Sequence, residues 1–200
     1  MSASSNPFLS RPGRQTANAY CGQCGGRIRQ TVPPGDSRLR SVCEACGAIQ
    51  YDNPKLVVGC IPQWGDRVLL CRRAIEPRYG YWTLPAGFME NGESTAEGAA
   101  RETLEEAGAR VEELEPFSLL DVPPVNQIHL YYRARLCDTA FANGDETLES
   151  RLFAESEIPW EMLSFRTVTE TLRLYFADRA AGRFGFHQKT LSAPPVPREK

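Results

Sequence analysis

The order of elements in this 200-residue chain predicts an α+β fold: a mixed sheet held between two helices and preceded by a small metal-stabilised module. Three observations carry that expectation. A run of strand candidates is interrupted by one well-capped helix, further strands and a second helix follow, and two Cys-x-x-Cys pairs stand ahead of them all. A hydrophobic fraction of 42% and a charged fraction of 24% suit a globular protein with a real core.

Cys21-Gly-Gln-Cys24 and Cys43-Glu-Ala-Cys46 have the spacing of a four-cysteine zinc site. Gly25 and Gly47 follow the pairs and free the backbone to turn amides toward the sulfurs. A disulfide pair is the competing account; the sequence lacks a secretion signal and carries three more cysteines, which favours the metal. Four thiolates leave no open coordination position, so the zinc role is read as structural. Cys60, Cys71 and Cys137 lie in apolar runs and are read as buried small hydrophobes.

After the Asn53-Pro54 turn, Leu56–Ile61 and Arg67–Arg72 read as a hairpin across Trp64-Gly-Asp66, and Tyr81–Gly87 as a lead-in strand. Ser94 followed by Glu97 is a capping box and Gly108 a stop, which predicts a helix over 95–107. Its period places Ala96, Ala100, Thr103, Leu104 and Ala107 on an apolar side, and Glu102, Glu105 and Glu106 on the other. Gly98 falls on the carboxylate side and reads either as room left for substrate or as a glycine tolerated near the helix start. Beyond it, Val111–Leu114, Phe117–Val122, Gln127–Leu136 and Arg151–Ala154 are strand candidates, and Val168–Ala181 a second helix. The expected organisation is a flexible tail over 1–19, the cysteine module over 20–50, the main domain over 51–190 and a tail over 191–200.

Three like charges on one helix side repel, so the carboxylate patch asks for a cation. Oxygen ligands suit hard Mg²⁺ or Mn²⁺, and those ions suit a phosphate-bearing substrate. A solvated acidic face is the alternative for the glutamates taken alone. No apolar run approaches a membrane span, no signal-peptide core opens the chain, and a cytoplasmic location is expected. The first fifty residues carry a net charge of +4, too little to predict nucleic-acid binding.

The stretch from Gly87 through Glu93, Arg101, Glu102, Glu105 and Glu106 to Gly108 resembles the Nudix box at every fixed position. Thr103 and Ala109 depart mildly from its apolar slots. The resemblance spans about residues 52–186 and implies an α/β/α Nudix sandwich that hydrolyses phosphoanhydrides. It implies that Glu105 and Glu106 bind catalytic metal, that Glu102 binds metal or serves as base, and that the Gly87 carbonyl is a further ligand. It casts Arg101 as an orienting residue in the catalytic set with Glu102 and Glu105. Nudix enzymes often recruit an acid from outside the box, and Glu146 and Glu149 are the candidates. Arg72 and Arg73 are candidates for phosphate contact, and Tyr79, Trp82, Tyr131 and Phe165 for base stacking, although packing is the commoner use of such residues. His129 and His187 receive no role.

Two zinc-ribbon groups within that superfamily are NADH pyrophosphatases and a set of FAD and ADP-ribose pyrophosphatases. The NADH group's Ser-Gln-Pro-Trp-Pro-Phe-Pro-x-Ser signature is absent where this chain reads Phe117-Ser-Leu-Leu-Asp-Val-Pro-Pro-Val-Asn126. The runs Tyr51–Gly59, Tyr81–Gly87 and Leu148–Ala154 look like the second set. The implied activity is therefore cleavage of FAD or ADP-ribose to AMP plus FMN or ribose 5-phosphate, by a homodimer. NADH or another dinucleotide is the alternative substrate. A zinc-ribbon binding module for nucleic acid or protein, on a silent Nudix fold, is the alternative of a different class.

Overall fold

The computed structural model describes residues 19–192, so the two predicted tails lie almost wholly outside the described residues. The chain divides into two compact units, Met1–Pro54 and Lys55–Lys200.

The first unit is a three-stranded antiparallel sheet of β1 (Ile28–Thr31), β2 (Arg40–Cys43) and β3 (Ile49–Gln50). Gly25 and Gly47, one residue past the Cys-x-x-Cys pairs, both have φ +71, the left-handed turn that glycine takes without steric cost.

The second unit is an eight-stranded mixed sheet with one helix on each face. Its strands are β4 (Lys55–Trp64), β5 (Arg67–Arg73), β6 (Trp82–Thr83), β7 (Ala86–Phe88), β8 (Val111–Val122), β9 (Gln127–Leu136), β10 (Thr147–Phe153) and β11 (His187–Thr190). The main path runs β10-β5-β4-β9-β8-β11, with β6 on β5 and β7 on β4. β4 runs parallel to β9 and β11 parallel to β8; the other pairings are antiparallel. Helix α1 (Thr95–Ala107) covers one face, where Val58, Cys60, Tyr132 and Ala134 pack on Ala99. Helix α2 (Arg166–Ala180) covers the other, where Ile61, Leu70, Phe117 and Tyr131 pack on Val168, Leu172, Tyr175 and Phe176. Alternate residues of one strand thus feed two cores, which explains the continuous apolar reading of β4.

The capping box forms as predicted: the Glu97 amide donates to Ser94 Oγ, the Ser94 amide donates to the Glu97 carboxylate, and Gly108 closes the helix at φ +59. The buried stripe of α1 differs from the period reading. Gly98, Ala99, Thr103 and Ala107 face inward, while Leu104 is 51% exposed. The helix is rolled so that Glu106 also turns toward the sheet, and Leu104 is carried to solvent. Gly98 leaves no room for substrate; a Cβ there would lie 2.6 Å from Glu93 Oε1 and 2.9 Å from Val58 Cγ2.

Three further differences follow from tertiary contacts. The two strands expected over 111–122 are one strand, β8, whose register against β9 shifts at Glu112/Glu115 and Pro116/Ser118. β11 has the polar sequence His-Gln-Lys-Thr, without strand signal, and is added at the sheet edge beside Ser118–Asp121. Cys60 and Cys71 are buried as expected, but Cys137 is exposed just beyond β9. Among the described residues no helix is long and apolar enough to cross a membrane.

Candidate metal and phosphoanhydride site

The site is assembled where β7 meets α1. Gly87 pairs with Val58 across β7 and β4, and a Cβ at Gly87 would collide with the Glu102 carboxylate, so only glycine lets these two approach. One turn on, the Ala86 amide donates to Glu106 Oε2 at 3.1 Å. The main chain before the helix and the carboxylates on it are therefore fixed to one another.

Arg101 organises the acids around it. Its Nε and Nη2 donate to Glu93 at 2.9 and 2.8 Å, and its Nη1 donates to Glu102 at 2.8 Å and Glu105 at 3.0 Å. A fifth bond runs to the Phe88 carbonyl at 3.1 Å. With its fork so occupied, Arg101 positions carboxylates and takes no part in bond making. Glu93, ahead of the helix, is its bidentate partner. Arg101 and the Glu90 amide draw the Glu93 carboxyl down to about 2.

Each glutamate has a distinct environment. Glu106 is half-buried and has no ion-pair partner among the described residues; that burial pushes its carboxyl up to about 8, against the Ala86 amide and helped by the charge of Glu102. Glu102 is 13% exposed, and burial raises it too, opposed by Arg101. Glu105 is 57% exposed and drawn to Arg101. Among the described residues, only the four thiols come within 4.8 Å of one another, and the glutamates do not close to that spacing. The donor set nonetheless fits a hard divalent cation. Two half-buried carboxylates, one of them without an ion-pair partner among the described residues, are groups that such an ion would satisfy.

The acid outside the box is separable. Glu149 lies opposite Arg72 in the β10–β5 register and pairs with it at 4.0 Å. Glu146, just before β10, is tied to β5 by its carbonyl, which accepts from the Ala74 amide at 2.7 Å. Its charge acts on both Glu102 and Glu106. Glu149 is thus engaged with Arg72, whereas Glu146 forms no ion pair among the described residues.

The substrate candidates divide likewise. Successive residues Arg72 and Arg73 take opposite faces of β5. Arg72 is held by the Gly80 carbonyl at 3.0 Å and by Glu149. Arg73 lies 5.2 Å over the Phe165 ring, and its charge reaches Glu106. Trp82 and Tyr131, expected as stacking candidates, are corrected: both are buried. Trp82 packs edge-on to Phe153 at 4.8 Å, and Tyr131 belongs to the α2-side core. Tyr79 is 56% exposed. His187 binds Asp178 at 2.8 Å, tying β11 to α2. His129 is buried and pushed down to about 4 by that burial.

In the first unit Cys21, Cys24, Cys43 and Cys46 converge, with Sγ–Sγ distances of 3.8 Å (Cys21–Cys46) and 3.5 Å (Cys24–Cys43). The Gln23, Gly26 and Cys46 amides donate to Cys21, Cys24 and Cys43 at 3.4, 3.4 and 3.5 Å. Amide donation, first from Cys46, pulls the Cys43 thiol down to about 6, which favours the thiolate a metal requires.

These features define a Nudix hydrolase with a zinc ribbon, and the chain belongs to the Nudix family: residues 53–178 match the NUDIX domain and residues 19–52 the Nudix N-terminal zinc ribbon. It is similar to a Nudix hydrolase of known structure from Nitrosomonas europaea, at 48% identity and TM-score 0.85 over 87% of this chain and 99% of that one. It is 29% identical over 168 residues to the NAD-capped RNA hydrolase NudC of Pseudomonas aeruginosa, which covers 82% of this chain and 57% of the relative. The chain thus spans little more than half the length of that relative. An ADP-ribose pyrophosphatase from Streptococcus suis, 22% identical with TM-score 0.54 over 70% of this chain and all of that one, shares the fold.

Proposed function

We propose that this enzyme hydrolyses the pyrophosphate bond of a nucleoside diphosphate linked to a second moiety, with FAD and ADP-ribose as the leading substrates. The observation that carries the reading is the approach of Glu102 to Gly87 and of Glu106 to the Ala86 amide, with Glu106 half-buried and without an ion-pair partner among the described residues. Glu102, Glu105, Glu106 and the Gly87 carbonyl are assigned to hold Mg²⁺ or Mn²⁺. When bound, such an ion neutralises diphosphate charge and acidifies a water.

The protein's own part is orientation and proton removal. Arg101 fixes Glu102 and Glu105 in one arrangement, so little reorganisation is needed when substrate arrives. Water adds to one phosphorus, the bridging P–O bond breaks, and the departing phosphate keeps that electron pair. The water's proton passes to a carboxylate. Glu146, exposed and without an ion-pair partner among the described residues, is assigned that role. The products are AMP and FMN, or AMP and ribose 5-phosphate.

A second reading, NADH or another dinucleotide as substrate, is favoured by similarity to the NudC relatives. The absent NADH-group signature over 117–126 favours the first. Intact Glu102, Glu105 and Glu106 speak against a silent fold. Cytoplasmic location and a homodimer belong to the same proposal, with light scattering as the check on assembly. The deciding experiment ranks kcat/KM for FAD, ADP-ribose, NADH, diadenosine polyphosphates and nucleoside triphosphates with Mg²⁺ or Mn²⁺. FAD or ADP-ribose is expected first; hydrolysis of none of the panel overturns the proposal.

A further inference from the structure

The first turn of α2 carries polar groups that the fold does not use. The helix starts behind Phe165, which cannot cap it, and no side-chain hydrogen bond closes the turn. The leading amides of a helix have no partner inside it, and together they form its positive end. Ser164 and Thr167 flank this start and are 1% and 5% exposed, yet both hydroxyl oxygens are sealed from solvent without a hydrogen-bond partner. The other threonines of α2 are satisfied: Thr169 donates to the Phe165 carbonyl at 3.3 Å, and Thr171 meets Ser118 at 3.1 Å. An unpaired buried hydroxyl is destabilising, and two at one helix start point to a ligand that completes them.

The surroundings identify its chemistry. Thr167 lies beside the Tyr131 hydroxyl, without hydrogen-bond geometry between them, and Tyr131 in turn feels the charge of Glu106. Arg73 stacks on Phe165, the residue between Ser164 and α2, and its charge also reaches Glu106. The Ser164 amide donates to the Trp82 carbonyl at 2.8 Å, four residues before the Ala86 amide that donates to Glu106 at 3.1 Å, so the turn and the carboxylate cluster are held by the same short segment. A helix N-terminus, two hydroxyls, a phenol and a guanidinium offer donors and positive potential, which together suit a phosphate oxyanion.

We propose that the N-terminal turn of α2, with Ser164, Thr167 and Arg73, is a phosphate-binding subsite that holds one phosphoryl group of the substrate while the carboxylate cluster engages the other. The identity of the phosphate as substrate rests on the pyrophosphatase reading; the anion site itself does not.

The test titrates orthophosphate and AMP into the zinc-loaded full chain without added Mg²⁺ or Mn²⁺, with the Arg166, Thr167 and Val168 amides followed by NMR. Both ligands are expected to shift these amides, AMP at lower concentration, and the shifts are expected to vanish in Ser164→Ala/Thr167→Val. That variant should melt no lower than the parent, because it removes two unpaired hydroxyls, while its KM for FAD and ADP-ribose rises about tenfold with kcat little changed. Thr167→Ser, which keeps the hydroxyl, should retain most of the affinity. Unshifted amides, AMP binding no tighter than orthophosphate, or an unchanged KM in the double variant would overturn the subsite. If phosphate shifts the amides but no dinucleotide is hydrolysed, the anion site stands and the substrate assignment falls. If FAD is hydrolysed with the KM unaltered in the double variant, the subsite alone falls.

Discussion

Glu106 and Glu105 are neighbours in sequence and opposites in setting: one is half-buried against Ala86, the other is 57% exposed on Arg101. Their substitutions should separate accordingly. Glu106→Gln is expected to lower kcat on the order of 10²-fold or more. Glu105→Gln should act mainly by weakening metal affinity, read as a rise in the Mg²⁺ concentration needed for half-maximal rate. Full activity in Glu105→Gln would sink its assignment as a ligand. Gly87→Ala must push the Glu102 carboxylate aside, so loss of both Mn²⁺ binding and turnover is expected without loss of the fold. The identities of these acids were legible in the sequence because fixed spacing on a helix places them together. The partial burial of Glu106, the sequestration of Trp82 and Tyr131, and the pairing of Glu149 with Arg72 were not. Each depends on which face of a neighbouring strand the residue meets, and a bulge or a roll of the helix changes that.

The elements themselves are held by identifiable local devices. Ser94→Ala removes one arm of the α1 capping box and should cost about 1 kcal/mol in chemical denaturation. Gly98→Ala sets a helix-propensity gain of about 1 kcal/mol against contacts with Glu93 and Val58 that are too close. Net destabilisation is expected, and a stabilised variant would show that α1 can move away from β4. At the far end of the sheet, burial would raise the Asp178 carboxyl, but the Gly185 amide and His187 outweigh it and hold it below the ordinary range. A depressed carboxyl contributes stability above its unfolded pKa, about 4, and loses that contribution as pH falls through its folded pKa. Asp178→Asn should therefore lower stability near neutrality and flatten the acid limb of the stability–pH curve. An acid limb of unchanged slope in that variant would exclude Asp178 as its origin. Helix α1 was legible to the residue because caps are local. β11 was invisible because its four polar residues become a strand only beside Ser118–Asp121.

The two units of the molecule depend on different forces. The Lys55–Lys200 unit has apolar cores on both faces of its sheet, whereas the strands of the first unit are only two to four residues long. A module of that size cannot bury enough apolar surface to fold alone, so zinc bound by its four thiols would supply its stability. Zinc chelation is expected to open residues 21–46 to proteolysis while the larger unit keeps its melting transition. Chelation that stopped catalysis with the ribbon still protease-resistant would contradict a structural role for the cysteines. Motif spacing, capping signals and cysteine arithmetic were enough for the two-part organisation and for a helix that gathers Glu102, Glu105 and Glu106, and the resemblance to the Nudix box implied the bond type, because each is written in residues close along the chain. The tertiary structure decided which side of α1 is buried, that Glu149 is paired with Arg72, and that Ser164 and Thr167 stand unpaired near Tyr131 and Arg73. Those relations join residues from 33 to 94 positions apart, and only the pairing of strands and the packing of helices on them brings such residues into reach.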